Sequence, residues 1–141
     1  MPAMRLAVLS IFIGLGGSQA KDPPPSVEGT WERFHTDPNG KTIRAVKEHK
    51  DGRTTHTVTT EQGEILSQHE SRYELQSGEQ VHIFTFLAAA ITGGPNIGQK
   101  VAGRYSYAYR VERDTFYEVR GILTGDTSPP AVIVWKRVRE K

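Results

Sequence analysis

Gly29-Thr30-Trp31 and Trp135-Lys136-Arg137 stand near the two ends of a chain that is otherwise a series of short, turn-punctuated segments. A Gly-x-Trp on the first expected strand and an Arg on the last point to one small β-barrel closed by its terminal strands. In that arrangement the Trp31 indole plugs one end and the Arg137 guanidinium lies over it, a cation–π contact of about 0.5–2 kcal/mol depending on burial. Gly29, Trp31, Trp135 and Arg137 are therefore read as closure residues with a structural role.

The residues between these signatures read as eight strands. Segments rich in β-branched and aromatic residues run over 27–35, 41–49, 53–60, 64–75, 80–88, 100–112, 115–123 and 131–139. Asp37-Pro38-Asn39-Gly40, Lys50-Asp51-Gly52, Glu61-Gln62-Gly63, Gln76-Ser77-Gly78-Glu79 and Arg113-Asp114 supply the turns, with Pro presetting φ and Asn-Gly tolerating positive φ. Almost every connection is too short to cross between two sheets, so the expectation is an all-β, eight-stranded antiparallel up-and-down barrel.

Alternation assigns faces. Tyr105, Tyr107 and Tyr109 share one side of the sixth strand with Val101 and Val111, and His69, Tyr73 and Leu75 share one side of the fourth. Trp31 goes with Val27. These are the expected inward residues. On the seventh strand Glu118 and Arg120 share a side with Phe116 and Ile122, while Tyr117 and Val119 form an equally apolar opposite side, so the direction of that ion pair is left open.

The amino terminus reads as an export signal over 1–20: Arg5, an apolar run from Leu6 to Leu15, then Ser18-Gln19-Ala20 with small residues for cleavage near Ala20. Ten apolar residues fall short of the roughly 20 that span a bilayer. The expectation is an exported protein, periplasmic or extracellular, with no stable membrane anchor after cleavage. A Pro-rich leader over 21–26, loosely tethered, then precedes a single barrel domain over 27–141. Losing Arg5 takes the 18 basic residues to 17 against 16 acidic ones, a net charge of +1. Charges of both signs are interspersed, so nucleic acid is not an expected partner. The absence of cysteine rules out a disulfide scaffold and N-terminal lipidation through Cys.

Candidate sites lie away from the closure residues. Tyr73, Tyr105, Tyr107 and Tyr109, with His69, Phe86 and Leu87, are the candidate ligand-binding set, because tyrosine offers an apolar ring and an orienting hydroxyl. An eight-stranded barrel is just wide enough to be filled or to hold one small ligand, so the same rings can simply pack the interior. The nearly uncharged run from Phe84 to Ile97 reads as a lid hinged at Gly93-Gly94-Pro95, as an apolar contact, or as a buried strand followed by a hairpin loop. The histidines at 35, 49, 56, 69 and 82 lack metal-motif spacing. His56 and His69 are expected inward and His82 outward. No catalytic residue, metal or cofactor is assigned.

Gly29, Trp31 and Arg137, the turn centred on Gly52, Ser71-Arg72-Tyr73-Glu74-Leu75 and Val134-Trp135-Lys136-Arg137-Val138 together resemble the lipocalin-like, calycin-type small barrels exported by bacteria. The resemblance covers about residues 27–139. It implies a barrel whose Gly-x-Trp packs against a late Arg at the closed end, and an interior that binds a small, mostly apolar molecule. Classical lipocalins usually carry a disulfide and a C-terminal helix, and this chain has no cysteine and ends on an expected strand. The rival expectations are an enzyme using His56 or His69 with Tyr or Glu118, and a filled barrel acting as an interaction module, with a protein partner left unnamed.

Overall fold

The computed structural model describes residues 22–139, so the expected signal over 1–20 lies outside the described residues. Eight antiparallel strands pair in chain order and close into one up-and-down barrel. They are β1 (Gly29–Thr36), β2 (Thr42–Lys50), β3 (Arg53–Thr60), β4 (Ile65–Ser77), β5 (His82–Gly93), β6 (Lys100–Glu112), β7 (Thr115–Arg120) and β8 (Ala131–Arg137). The turns form where their residue types require. Asp37 Oδ1 accepts the backbone N–H groups of Asn39 and Lys41, both at 2.8 Å, and thereby folds the β1–β2 connection.

Two strand ends depart from the sequence expectation. β5 continues to Gly93 instead of stopping near Ala88, because Ala89 and Ala90 pair with β4 on one side and β6 on the other. The uncharged run is thus mostly strand, its turn is confined to residues 94–99, and the hinged-lid reading does not hold. β7 stops at Arg120 rather than Leu123. Gly121 adopts φ of +72°, and a Cβ there would strike the backbone of Ser128, Pro129 and Pro130 as the β7–β8 loop folds back.

One end of the barrel is packed shut by aromatic rings. Phe84 stacks on Tyr107 with centroids 5.0 Å apart and on Tyr73 at 5.0 Å, while Phe116 meets Trp31 at 5.6 Å. Trp31 is fully buried and its indole N–H donates to the Val27 carbonyl at 2.8 Å. Arg137 lies with its guanidinium carbon 4.1 Å from the Trp31 ring centroid and donates to the Glu28 carbonyl at 3.0 Å. Gly29 makes this possible: at φ of +122° it has no Cβ to collide with Arg137 Nη1. The Pro-rich leader is less loose than expected, since the Tyr109 hydroxyl donates to Pro25 O at 2.8 Å and Val27 is fully buried.

The other end is looser. β1 and β8 pair only through Trp31↔Arg137 and Glu32↔Lys136, so the seam between them parts beyond Glu32. Register shifts between Ser71 and Arg72 and between Leu87 and Ala89 bend the β4–β5–β6 sheet toward this open end.

Candidate functional site

Inward parity on β1 runs Trp31, Arg33, His35, and on β2 it runs Ile43, Ala45, Lys47, His49. Both inward faces mix apolar and polar side chains, and because the strands are antiparallel Lys47 lies opposite Trp31 and Ile43 opposite His35. Lys47 is 1% exposed and Glu118 is 0% exposed, and they form an ion pair across the interior. Arg120 donates to the other Glu118 oxygen through Nη2 at 2.9 Å and Nε at 3.1 Å. The open question about the seventh strand is settled here: Phe116, Glu118 and Arg120 face in, while Ile122 is exposed beyond the strand.

Aromatic faces surround these charges. Lys47 Nζ lies 4.6 Å from the Trp135 ring centroid, 5.3 Å from that of Phe86 and 5.5 Å from that of Tyr107. Arg33 approaches the same Trp135 ring at 5.2 Å, and Arg120 lies 5.6 Å from both Tyr105 and Tyr107. Trp135, expected at the closure, is instead sandwiched between two cations inside the barrel.

Burial and charge set the ionisation. Burial lowers the Lys47 ammonium to about 8, against the opposing pull of Glu118. Burial alone would raise the Glu118 carboxyl, but Lys47 and Arg120 outweigh it and hold the group below its ordinary range. The pair is ionised at neutral pH. A carboxylate clamped this way is a poor general base, which needs a pKa near the working pH; Glu118 serves as a counter-ion. Burial pushes Tyr107 well above the usual phenol range, and the neighbouring Glu118 charge adds to the shift. The Tyr107 hydroxyl nonetheless makes no hydrogen bond of ordinary geometry.

His49 and His56 are lowered to about 3, chiefly by burial and then by the Lys47 charge. His49 sits among Tyr73, Phe84 and Phe116, and His56 meets His69 edge to face at 5.0 Å. Among the described residues no group of three or more His, Cys, Asp or Glu could hold a metal ion. His82 shares the inward side with Phe84, contrary to expectation, and tilts against Tyr109 at 5.8 Å. Its neighbour Ile83 pairs with Ala108 on the other face.

An open cavity of about 230 Å³ lies at the bulged stretch of β4, β5 and β6, lined by His69, Ser71, Phe86, Leu87, Arg104 and Tyr105 among others. Of the seven expected ligand-binding residues it brings together His69, Phe86, Leu87 and Tyr105. Tyr73, Tyr107 and Tyr109 belong to the packed aromatic end. A larger hollow of about 630 Å³ adjoins it, running over Arg53, Thr54, Arg72 and the alanines at 88–90 and sharing Ser71, Ala88 and Ala89 with it. It includes none of the buried charges and owes its depth to those small side chains. Sequence reasoning missed Arg33, Lys47 and His49. Alternation from Trp31 and from Ile43 would have placed all three inward, but the polar residue types argued for solvent. Comparison of the chain with protein-family models, with curated proteins and with solved structures finds no match.

Proposed function

We propose that the chain is an exported, lipocalin-like barrel that binds one small, mostly apolar molecule in the cavity between His69, Phe86, Leu87 and Tyr105. The carrying observation is that cavity of about 230 Å³, walled mostly by rings and aliphatic side chains with Arg104 at its edge. Its volume is roughly eight water volumes, somewhat below the roughly 300 Å³ at which ligand pockets usually begin, which suits only a small ligand. Export rests on Arg5, the apolar run from Leu6 to Leu15 and Ser18-Gln19-Ala20.

The test is a fluorescence titration with N-phenyl-1-naphthylamine, a neutral apolar dye. Binding is expected to enhance its emission with a one-to-one stoichiometry, and Ala89→Trp, which fills the cavity from β5, is expected to weaken it about tenfold or more. Dye binding unchanged in a folded Ala89→Trp protein would place the ligand elsewhere and overturn the proposal.

A further inference from the structure

Cations outnumber carboxylates among the inward side chains around the Lys47–Glu118 pair, with Arg33 and Arg120 both partly exposed. Arg33, Lys47 and Arg120 face the interior, and among the described residues Glu118 is the one carboxylate buried with them. Asp126, at the rim, accepts the backbone N–H groups of Gly121 at 2.9 Å and Ser128 at 2.8 Å and the Tyr105 hydroxyl at 3.2 Å. Counting both carboxylates still leaves one positive charge in excess. Glu32 does not supply the missing partner, because it points outward and pairs with Arg44 at 2.7 Å. A partly desolvated cation without a full counter-charge favours an added anion.

The excess charge adjoins the cavity. Lys47 sits against Phe86 and Arg120 against Tyr105, and both rings are cavity walls. Arg33 has a buried Nε with no hydrogen-bond partner, and the Arg120 side chain is 34% exposed and so within reach of a ligand. The β1–β8 ladder ends at Glu32, immediately before Arg33.

We propose that the ligand is a monoanionic amphiphile: its headgroup, a carboxylate or sulfate, lies between Arg33 and Arg120 above the Lys47–Glu118 pair, and its short apolar body fills the cavity. This rests on the small-molecule reading above and adds the charge of the ligand to it. Arginine suits the role, since its planar fork donates two hydrogen bonds to one oxyanion group. The anion balances the interior charge, and the apolar body displaces water from the Phe86, Leu87 and Tyr105 walls.

The experiment is isothermal titration of the protein with octanoate, octyl sulfate, octanol and octylamine. The two anions are expected to bind about tenfold or more tightly than octanol, with octylamine weakest. Arg33→Met and Arg120→Met are each expected to bring octanoate toward the octanol value while leaving octanol unchanged. If Arg120→Met does not fold, Arg33→Met and the four-ligand series on the parent protein decide the matter. Octanol binding as tightly as octanoate, or an anion preference that survives both substitutions, overturns the anionic assignment and leaves the small-molecule reading standing. Silence from all four compounds together with the naphthylamine dye overturns that reading, and this inference with it.

Discussion

The two ends of this barrel are built from the same strands with the same inward parity, yet one is packed with rings and the other with charges. At the closed end Trp31, Tyr73, Phe84, Tyr109 and Phe116 interlock, and Arg137 covers Trp31. Toward the open end Arg33, Lys47, His56, Glu118 and Arg120 occupy equivalent inward positions beside a cavity. Both ends bury their side chains, but burial does opposite things. At the closed end removal of apolar surface from water stabilises the fold directly. At the open end it costs desolvation, which only the ion pairs and ring faces offset, so that half contributes little to stability.

Acid should give the largest effect and should act on the two ends together. His49 in the ring cluster and His56 beside the charges are both held near 3, far below their unfolded value. Between pH 6.5 and 3 the folded protein keeps them neutral while the unfolded chain protonates them. Their contribution is therefore complete above pH 6.5 and is lost as pH falls through that window. The depressed Glu118 carboxyl works in the same direction below its ordinary value. Burial and the Lys47 charge also lower His69, so two or more protons are taken up on unfolding, a slope of at least about 2.7 kcal/mol per pH unit in mid-window. Urea melts from pH 7 to pH 4 should reveal it. A single His56→Gln substitution should lower the slope by about 1.4 kcal/mol per pH unit, and a slope unchanged in that variant would show that His56 is not held neutral.

Phe84→Ala attacks the closed end alone. It should cost about 3–5 kcal/mol, since the ring packs against Tyr73, Phe86 and Tyr107 and leaves a void when removed. Chemical denaturation measures this, and the naphthylamine affinity of the folded fraction should stay within about twofold, because Phe84 does not line the cavity. A large loss of dye binding would mean that the two ends are one cooperative unit.

Arg137→Met should have the smallest effect, about 0.5–2 kcal/mol for the lost cation–π contact over Trp31. Gly29→Ala in the same background sharpens the result. In the parent protein the new Cβ collides with Arg137, whereas in Arg137→Met only the strain of positive φ remains. A double-mutant cycle that shows no coupling would separate the Gly-x-Trp motif from the late Arg.

The fold was largely legible because a barrel of hairpins is written locally: alternation sets each strand and the turn residues set each reversal. All eight strands could be located that way, and Asp37-Pro38-Asn39-Gly40 needed nothing from the rest of the chain. Strand ends were less legible. β5 runs on to Gly93 because neighbouring strands pair with it, and β7 stops at Arg120 because a returning loop occupies the space beside Gly121.

What the sequence determined by itself was the all-β hairpin order, since parity and turn chemistry act over a few residues; the early Gly-x-Trp and late Arg suggested a closure contact that forms only when β1 meets β8. The tertiary structure alone decided which polar residues went inside. Lys47 and Glu118 are 71 positions apart, and either one alone would be read as solvated. Only closure of the barrel brings β2 opposite β7, where each charge becomes the reason the other can be buried.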